Sequence, residues 1–213
     1  MRQVPAEAVS RFLPPDEGGR ESAVLMLFAA GEHGPDLLLI ERAHSLRDHA
    51  GQPAFPGGAV DPGDRDAVDA ALREATEEVG LRRDDVDVLA NLPTLFIPVT
   101  GFVVTPVLAW WHTPSVVSPV DAGEVARVVR VPVRELADPA NRVRVRHPSG
   151  WIGPAFTVSG LLVWGFTAGL VDILLRLGGW EQEWQPGELR ELPAHGAGPT
   201  PPAAEGLRAA DRE

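Results

Sequence analysis

The chain of 213 residues contains no cysteine. Disulfide staples, thiolate nucleophiles and zinc–thiolate sites are therefore excluded. Lysine is missing too, since all 19 basic residues are arginine. That rules out Schiff-base lysine chemistry and the phosphate-binding lysine of Walker-type loops. Positive charge is scarce overall: 30 acidic residues leave a formal net charge of −11, which argues against general binding to nucleic acid. No apolar run is long enough to span a bilayer, and the N-terminus lacks the apolar region of a secretion signal. A soluble cytoplasmic protein without membrane or nucleic-acid partners is the expectation. The remainder, 44% hydrophobic and 23% charged, is ordinary for a globular protein. One domain plus tails suits this length.

Residues 1–19 read as an N-terminal arm with a short amphipathic helix, Pro5 to Leu13. The domain proper is expected over 20–190, and the Pro-, Ala- and Gly-rich segment 191–213 as a disordered tail. Ser22 to Ala30 and Leu37 to Ile40 are apolar runs that predict buried strands either side of a turn. Further strands are predicted over Asp87 to Leu92, Thr94 to Ile97, Gly101 to Leu108, Val128 to Val133 and Phe156 to Leu162. Pro106 inside its run suggests an edge strand or a bulge. Trp110 and Trp111, at a strand end, suit the core or a subunit interface. Asn141 to Arg146 alternates Arg with Val, which predicts an exposed strand with three arginines on one face. Such a stripe could meet a polyanion or protect a sheet edge. Thr167 to Leu177 predicts a helix with Leu170, Ile173, Leu174 and Leu177 turned inward.

Two stretches carry chemistry. In Arg73-Glu74-Ala75-Thr76-Glu77-Glu78-Val79-Gly80-Leu81, helical spacing brings Glu74, Glu77 and Glu78 close together. Like charges so placed weaken a helix unless something compensates them. A solvated face is the plain reading; a hard divalent cation, which prefers oxygen ligands, is the alternative. The preceding turn, Phe55-Pro56-Gly57-Gly58, and a C-capping Gly80 favour the cation. The second stretch, Glu41 to Gln52, places Arg42 and Arg47 just before that turn. Arginine forks bind phosphate oxygens, although Glu41 or Asp48 could pair with them instead.

Together these residues resemble the Nudix box, Gly-x5-Glu-x7-Arg-Glu-U-x-Glu-Glu-x-Gly-U, where U is apolar. Arg73 to Leu81 fit its second half at every defined position. In the first half, Asp64 stands where Glu is usual, and eight residues rather than seven separate it from Arg73. The extra residue falls most easily in the Asp61-Pro62-Gly63-Asp64 turn. Upstream, Arg42-Ala43-x3-Arg47-x3-Gly51-x3-Phe55-Pro56-Gly57-Gly58 is similar to the signature of Nudix hydrolases that cleave coenzyme A and its derivatives. Leu38, Leu39 and Arg42 fit its start, with Ile40 in place of a threonine. Thr100-Gly101-Phe102-x-Val104-Thr105-Pro106 and Trp164-Gly165-x-Thr167-Ala168 also look like that group.

The resemblance implies an α+β Nudix fold, a mixed β-sheet sandwiched between α-helices. It implies attack of water on the diphosphate of coenzyme A or its thioesters, giving 3′,5′-ADP and 4′-phosphopantetheine or its acylated form. Mg²⁺ or Mn²⁺ would be the cofactor, with Glu74, Glu78, Glu77 and the Gly58 carbonyl as ligands. Glu77 would alternatively serve as base, and Arg73 would orient the carboxylates. Glu124, in Asp121-Ala122-Gly123-Glu124-Val125, matches a loop carboxylate that completes the metal site or acts as base. Arg42, Arg47, Phe55 and Gly57 would bind substrate. Two alternatives stay open: another nucleoside diphosphate derivative such as ADP-ribose or a nucleotide sugar, and a non-catalytic domain that binds a nucleotide or protein. The family also suggests a homodimer.

Overall fold

The computed structural model describes residues 18–192 except Val99, Pro186 and Glu188. The expected helix Pro5 to Leu13 and the tail from Pro193 onward lie outside the described residues.

The fold is built around strand β1, Arg20–Gly31, whose apolar run is buried on both faces. Alternate side chains enter two separate cores: Ala23, Leu25, Leu27 and Ala29 on one side, Met26 and Phe28 on the other. Burial on both faces is why this strand reads as continuous apolar sequence rather than as alternation. A hairpin joins β1 to β2, Gly34–Arg42, with Gly31 opposite Gly34. Hydrogen bonding between β1 and β2 is confined to the hairpin end, from Phe28 opposite Leu37 outward. Beyond it the strands diverge, and two short strands occupy the gap. β3, Pro53–Ala54, pairs with β2, while β4, Gly57–Ala59, pairs with β1. The Gly-Gly turn is thus wedged into the middle of the sheet.

Three further strands complete the β1 side: β5, Val86–Asn91, β6, Leu95–Ile97, and β7, Phe102–Trp111. β7 runs parallel to β1, and β5 and β6 add to it antiparallel, while β8, Val125–Pro132, flanks β2. One face of this mixed sheet carries helix α1, Ala67–Val79. The other carries α2, Val133–Ala137, and α3, Gly165–Gly178. It also carries a second sheet of β9, Arg142–Arg146, β10, Ile152–Val158, β11, Leu161–Val163, and β12, Leu189–Glu191, in the order β11-β10-β9-β12. The α+β expectation holds, with the addition that a four-stranded sheet shares the second face with the helices. No helix among the described residues is long and apolar enough to cross a membrane.

Several local expectations are corrected. Pro106 lies in a strand with partners on both sides, not at an edge. Its missing donor is tolerated because β6 pairing ends at Val104 and β5 pairing begins at Val107. The run Phe156 to Leu162 is two strands, because Ser159 and Gly160 both take positive φ, 48° and 74°, and reverse the chain. Trp111, by contrast, is where its strand-end position predicts, in the core beside α1. The Arg/Val strand β9 is not an edge either, since β10 and β12 flank it. Of its three arginines, Arg142 is enclosed: it pairs with Asp172 and Glu181 and lies over the rings of Phe156 and Trp184. The last strand reaches Glu191, inside the expected tail, and Leu192 is buried against Val145 and Ala155.

Candidate active site

Helix α1 is set by its ends. Asp66 caps its N-terminus by accepting from the Asp69 N–H, 2.9 Å. Gly80 closes the C-terminus in the left-handed conformation, φ 73°. The inward face is mostly alanine, with Ala70, Ala71, Ala75 and Val79 against β1 and β7. Small residues let the helix lie close to the sheet, within reach of the Gly57-Gly58 turn.

Close approach of the backbone requires glycine at 57, whereas at 58 the neighbour is the end of a flexible side chain. A Cβ at Gly57 would overlap the Ala23 carbonyl, and one at Gly58 would overlap the Glu74 carboxylate. Glu78 reaches the same turn and accepts from the Gly57 N–H at 3.0 Å. Glu78 is 6% exposed. Burial pushes its carboxyl up to about 8, against the lowering effect of the Gly57 N–H; the charges of Glu74 and Glu124 raise it further, and that of Arg42 lowers it. Glu74 is also raised, by burial first, with Arg73 opposing.

Arg73 organises the other carboxylates. Its Nε and Nη2 donate to the two oxygens of Asp64, each at 3.0 Å, in a bidentate fork. Nη1 donates to Glu74 at 3.1 Å and to Glu77 at 2.9 Å, and Nη2 also reaches the Ala59 carbonyl at 3.0 Å. One guanidinium therefore ties the end of β4, the Asp61–Asp64 turn and two helix carboxylates together. The displaced Asp64 keeps its partner despite the extra residue before the helix, and the Arg73 fork holds its carboxyl below the usual range. The three helix glutamates are consequently not equivalent: Glu78 is buried on the turn, Glu74 is half-buried, and Glu77 is exposed. Among the described residues no group of three or more His, Asp or Glu side chains is gathered closely enough to hold a metal as it stands.

Arg42 ends β2, and its charge reaches Glu78. Its Nε is buried without a hydrogen-bond partner among the described residues. Glu41 does not pair with it, being engaged by Arg127 at 2.9 Å and His44 at 3.4 Å. The loop Ala43–Gln52 folds back so that Gly51 N–H donates to the Arg42 carbonyl and Arg42 N–H to the Gln52 carbonyl, both 3.1 Å. Arg47 is exposed on this loop. Glu124, also exposed, is brought next to β2, its carbonyl accepting from Ala43 N–H at 2.8 Å. Phe55, at 3% exposure, belongs to the core facing α3 and supports the turn from beneath. Sequence reasoning gave no role to Asp121, whose side chain accepts from Gly123 N–H at 2.7 Å. An Asp two residues before a Gly in a loop is the available signal.

By its chemistry, though not by its present spacing, this donor set suits a hard cation. The turn and helix supply only oxygen donors, and the buried Glu78 carboxyl, costly to ionise alone, is the kind of group that a positive ion returns to its charged form. Comparison with known proteins agrees. A model of the NUDIX domain matches residues 19–150. The chain belongs to the Nudix family. It is 40% identical over 170 residues to the Uncharacterized Nudix hydrolase NudL of Cronobacter sakazakii, covering 75% of this chain and 83% of that one. Against NudL of Citrobacter koseri it is 38% identical over 184 residues, covering 80% and 93%. The crystal structure of a Nudix hydrolase from M. smegmatis, RenU, superposes with a TM-score of 0.54 at 23% identity, covering 76% of this chain and 88% of that one, a likeness of fold. The protein is thus a Nudix hydrolase, and hydrolases of this family generally use divalent metal ions.

Proposed function

We propose that this Nudix hydrolase cleaves the diphosphate of coenzyme A or its thioesters, releasing 3′,5′-ADP and 4′-phosphopantetheine or its acylated form. The observation that carries the reading is Arg42. Its partly buried guanidinium, with Nε unpartnered, stands at the head of the loop that bears Arg47, near enough for its charge to act on Glu78. A buried cation with a free donor is suited to phosphate oxygens. The spacing from Arg42 through Gly51 to Gly58 matches the signature described for coenzyme A-cleaving members.

In this reading Glu74, Glu78, Glu77 and the Gly58 carbonyl hold Mg²⁺ or Mn²⁺. When bound, the ion supplies neutralisation of the diphosphate and a more acidic water. The chain's own residues do the rest. Arg42 and Arg47 bind the diphosphate or the 3′-phosphate. Arg73 keeps Glu74 and Glu77 in fixed orientation. Water forms a bond to one phosphorus as the bridging P–O bond breaks, and its proton passes to Glu124 or Glu77.

The test is incubation with coenzyme A, acetyl-coenzyme A, ADP-ribose and a nucleotide sugar, each with Mn²⁺ and with Mg²⁺, products resolved by mass spectrometry. Coenzyme A is expected to turn over at least tenfold faster than ADP-ribose and to give 3′,5′-ADP. Preferred cleavage of ADP-ribose or the sugar would overturn the substrate assignment. Arg42→Ala is expected to raise KM for coenzyme A with the melting temperature unchanged.

A further inference from the structure

We propose that Asp121 is a positioning residue: it sets the turn that carries Glu124, within a loop that ties the end of the box helix, at the Glu78 carbonyl, to the end of β2. The inference rests on the reading in which Glu124 takes part in the hydrolysis.

The loop after β7 meets the site at three places. First, it captures the open end of α1. The last carbonyls of a helix lack internal partners. Here Ser118 N–H donates to the Val79 carbonyl at 3.2 Å, and Val120 N–H to the Glu78 carbonyl at 3.0 Å. Second, Asp121 closes a tight turn. Its side chain accepts from Gly123 N–H at 2.7 Å, while its carbonyl accepts from Glu124 N–H at 3.1 Å and Val125 N–H at 2.9 Å. Third, the Glu124 carbonyl accepts from Ala43 N–H at 2.8 Å, next to the register shift where Arg42 comes opposite Val125. The Glu124 backbone is therefore fixed at its N–H by Asp121 and at its C=O by Ala43.

The consequence is a fixed relation between two carboxylates from distant parts of the chain. The loop is anchored on the Glu78 residue itself at one end and on the Arg42 strand at the other. Glu124 is exposed and lies close enough for its charge to act on Glu78. Asp121 is exposed as well and its side chain forms no ion pair among the described residues, so the Gly123 hydrogen bond is that side chain's principal contact. Aspartate and asparagine make this side-chain turn through the same oxygen. Alanine cannot. Loss of that bond loosens the turn at Gly123, and with it the path of the chain into Glu124, without touching Glu74, Glu77 or Glu78. The main-chain bonds of Glu124 and Val125 to the residue-121 carbonyl remain, so the displacement is small, but small misplacements of a reacting group are costly in rate.

The experiment is a double-mutant cycle on the full chain with Mn²⁺, read with coenzyme A and with ADP-ribose. Asp121→Ala is expected to lower kcat about ten- to a hundredfold, with KM within about twofold and an unchanged melting temperature. Asp121→Asn is expected to keep the wild-type kcat. The double variant Asp121→Ala with Glu124→Gln should be no slower than Glu124→Gln alone. Wild-type kcat in Asp121→Ala, failure of Asp121→Asn to rescue, or fully additive losses would each overturn the proposal while leaving Glu124 in the reaction. Wild-type kcat in Glu124→Gln would overturn both the reading of Glu124 and the proposal built on it. A wild-type enzyme active only on ADP-ribose would overturn the coenzyme A assignment, with the cycle then read on ADP-ribose.

Discussion

The two long helices cover opposite faces of one sheet and are held by different forces. Helix α3 buries Leu170, Val171, Ile173, Leu174 and Leu175. Full burial of one such side chain contributes about 1.5–3 kcal/mol, so this face is a major hydrophobic contribution to stability. Helix α1 buries three alanines, one valine and the acid Glu78. Its polar contacts are directional: the Asp66 cap and the Arg65–Asp69 pair order its first turn, while the Arg73 fork on Asp64 and Arg83 on Asp69 tie it to neighbouring segments. A leucine-rich face tolerates small shifts, whereas forked ion pairs and a glycine turn fix angles. In the proposed reading the chemistry belongs to the helix held by geometry, while the helix held by area supplies the larger apolar burial.

The largest expected effect breaks this division on the α1 side. Glu78→Gln keeps the shape and an oxygen able to accept from Gly57 N–H, but removes the charge. Metal-dependent kcat should fall by about 10²–10⁴ with the melting temperature near wild type. Unchanged turnover would sink the assignment of Glu78 to the metal. The complementary variant is Leu170→Ala, at a position 2% exposed. It should cost about 2–5 kcal/mol of stability, which lowers the melting point by roughly 5–15 °C. Well below that melting point its kcat should equal wild type. A kcat loss there would mean that the two faces are coupled and the division is false.

The same contrast explains what could be read in the sequence. The α1 box, its Gly80 cap and the central strands are local patterns: helical spacing, a left-handed glycine, apolar runs buried on both faces. The second sheet is not local. β12 pairs in parallel with β9 across more than forty residues, and Arg142 is buried only because Asp172, Glu181 and Trp184 arrive from far along the chain. At the site, residue types were legible and environments were not. Glu74, Glu77 and Glu78 look alike in sequence, yet the wedged Gly57 turn buries one and Arg73 claims the other two. The resemblance implies a substrate role for Phe55, yet the link between β3 and β4 buries it in the core on the α3 side. Asp64 shows the converse: a departure from the family pattern in both residue and spacing, absorbed by the turn so that the fork on Arg73 survives.

The smallest expected effect sharpens the comparison within α1 itself, where two carboxyls are shifted in opposite directions. Burial raises Glu78, while hydrogen bonds from Arg65 and then Arg83 hold Asp69 far below the usual range. A group whose folded pKa is depressed adds stability above its unfolded pKa, about 3.9 for aspartate, and loses it as pH falls through the folded value. Asp69→Asn should therefore melt lower than wild type by a constant margin from pH 6 to 8. That margin should shrink steadily below about pH 4, as wild-type Asp69 takes up its proton. Because Asp69 pairs at the surface, the margin should be small and should narrow further in high salt. Melting curves of both proteins across pH, recorded with a chelator so that metal occupancy does not vary, decide the matter. A margin that stays level into acid would show that Asp69 holds the helix by shape or capping alone, and that the polar attachment of α1 rests on the Arg73 fork.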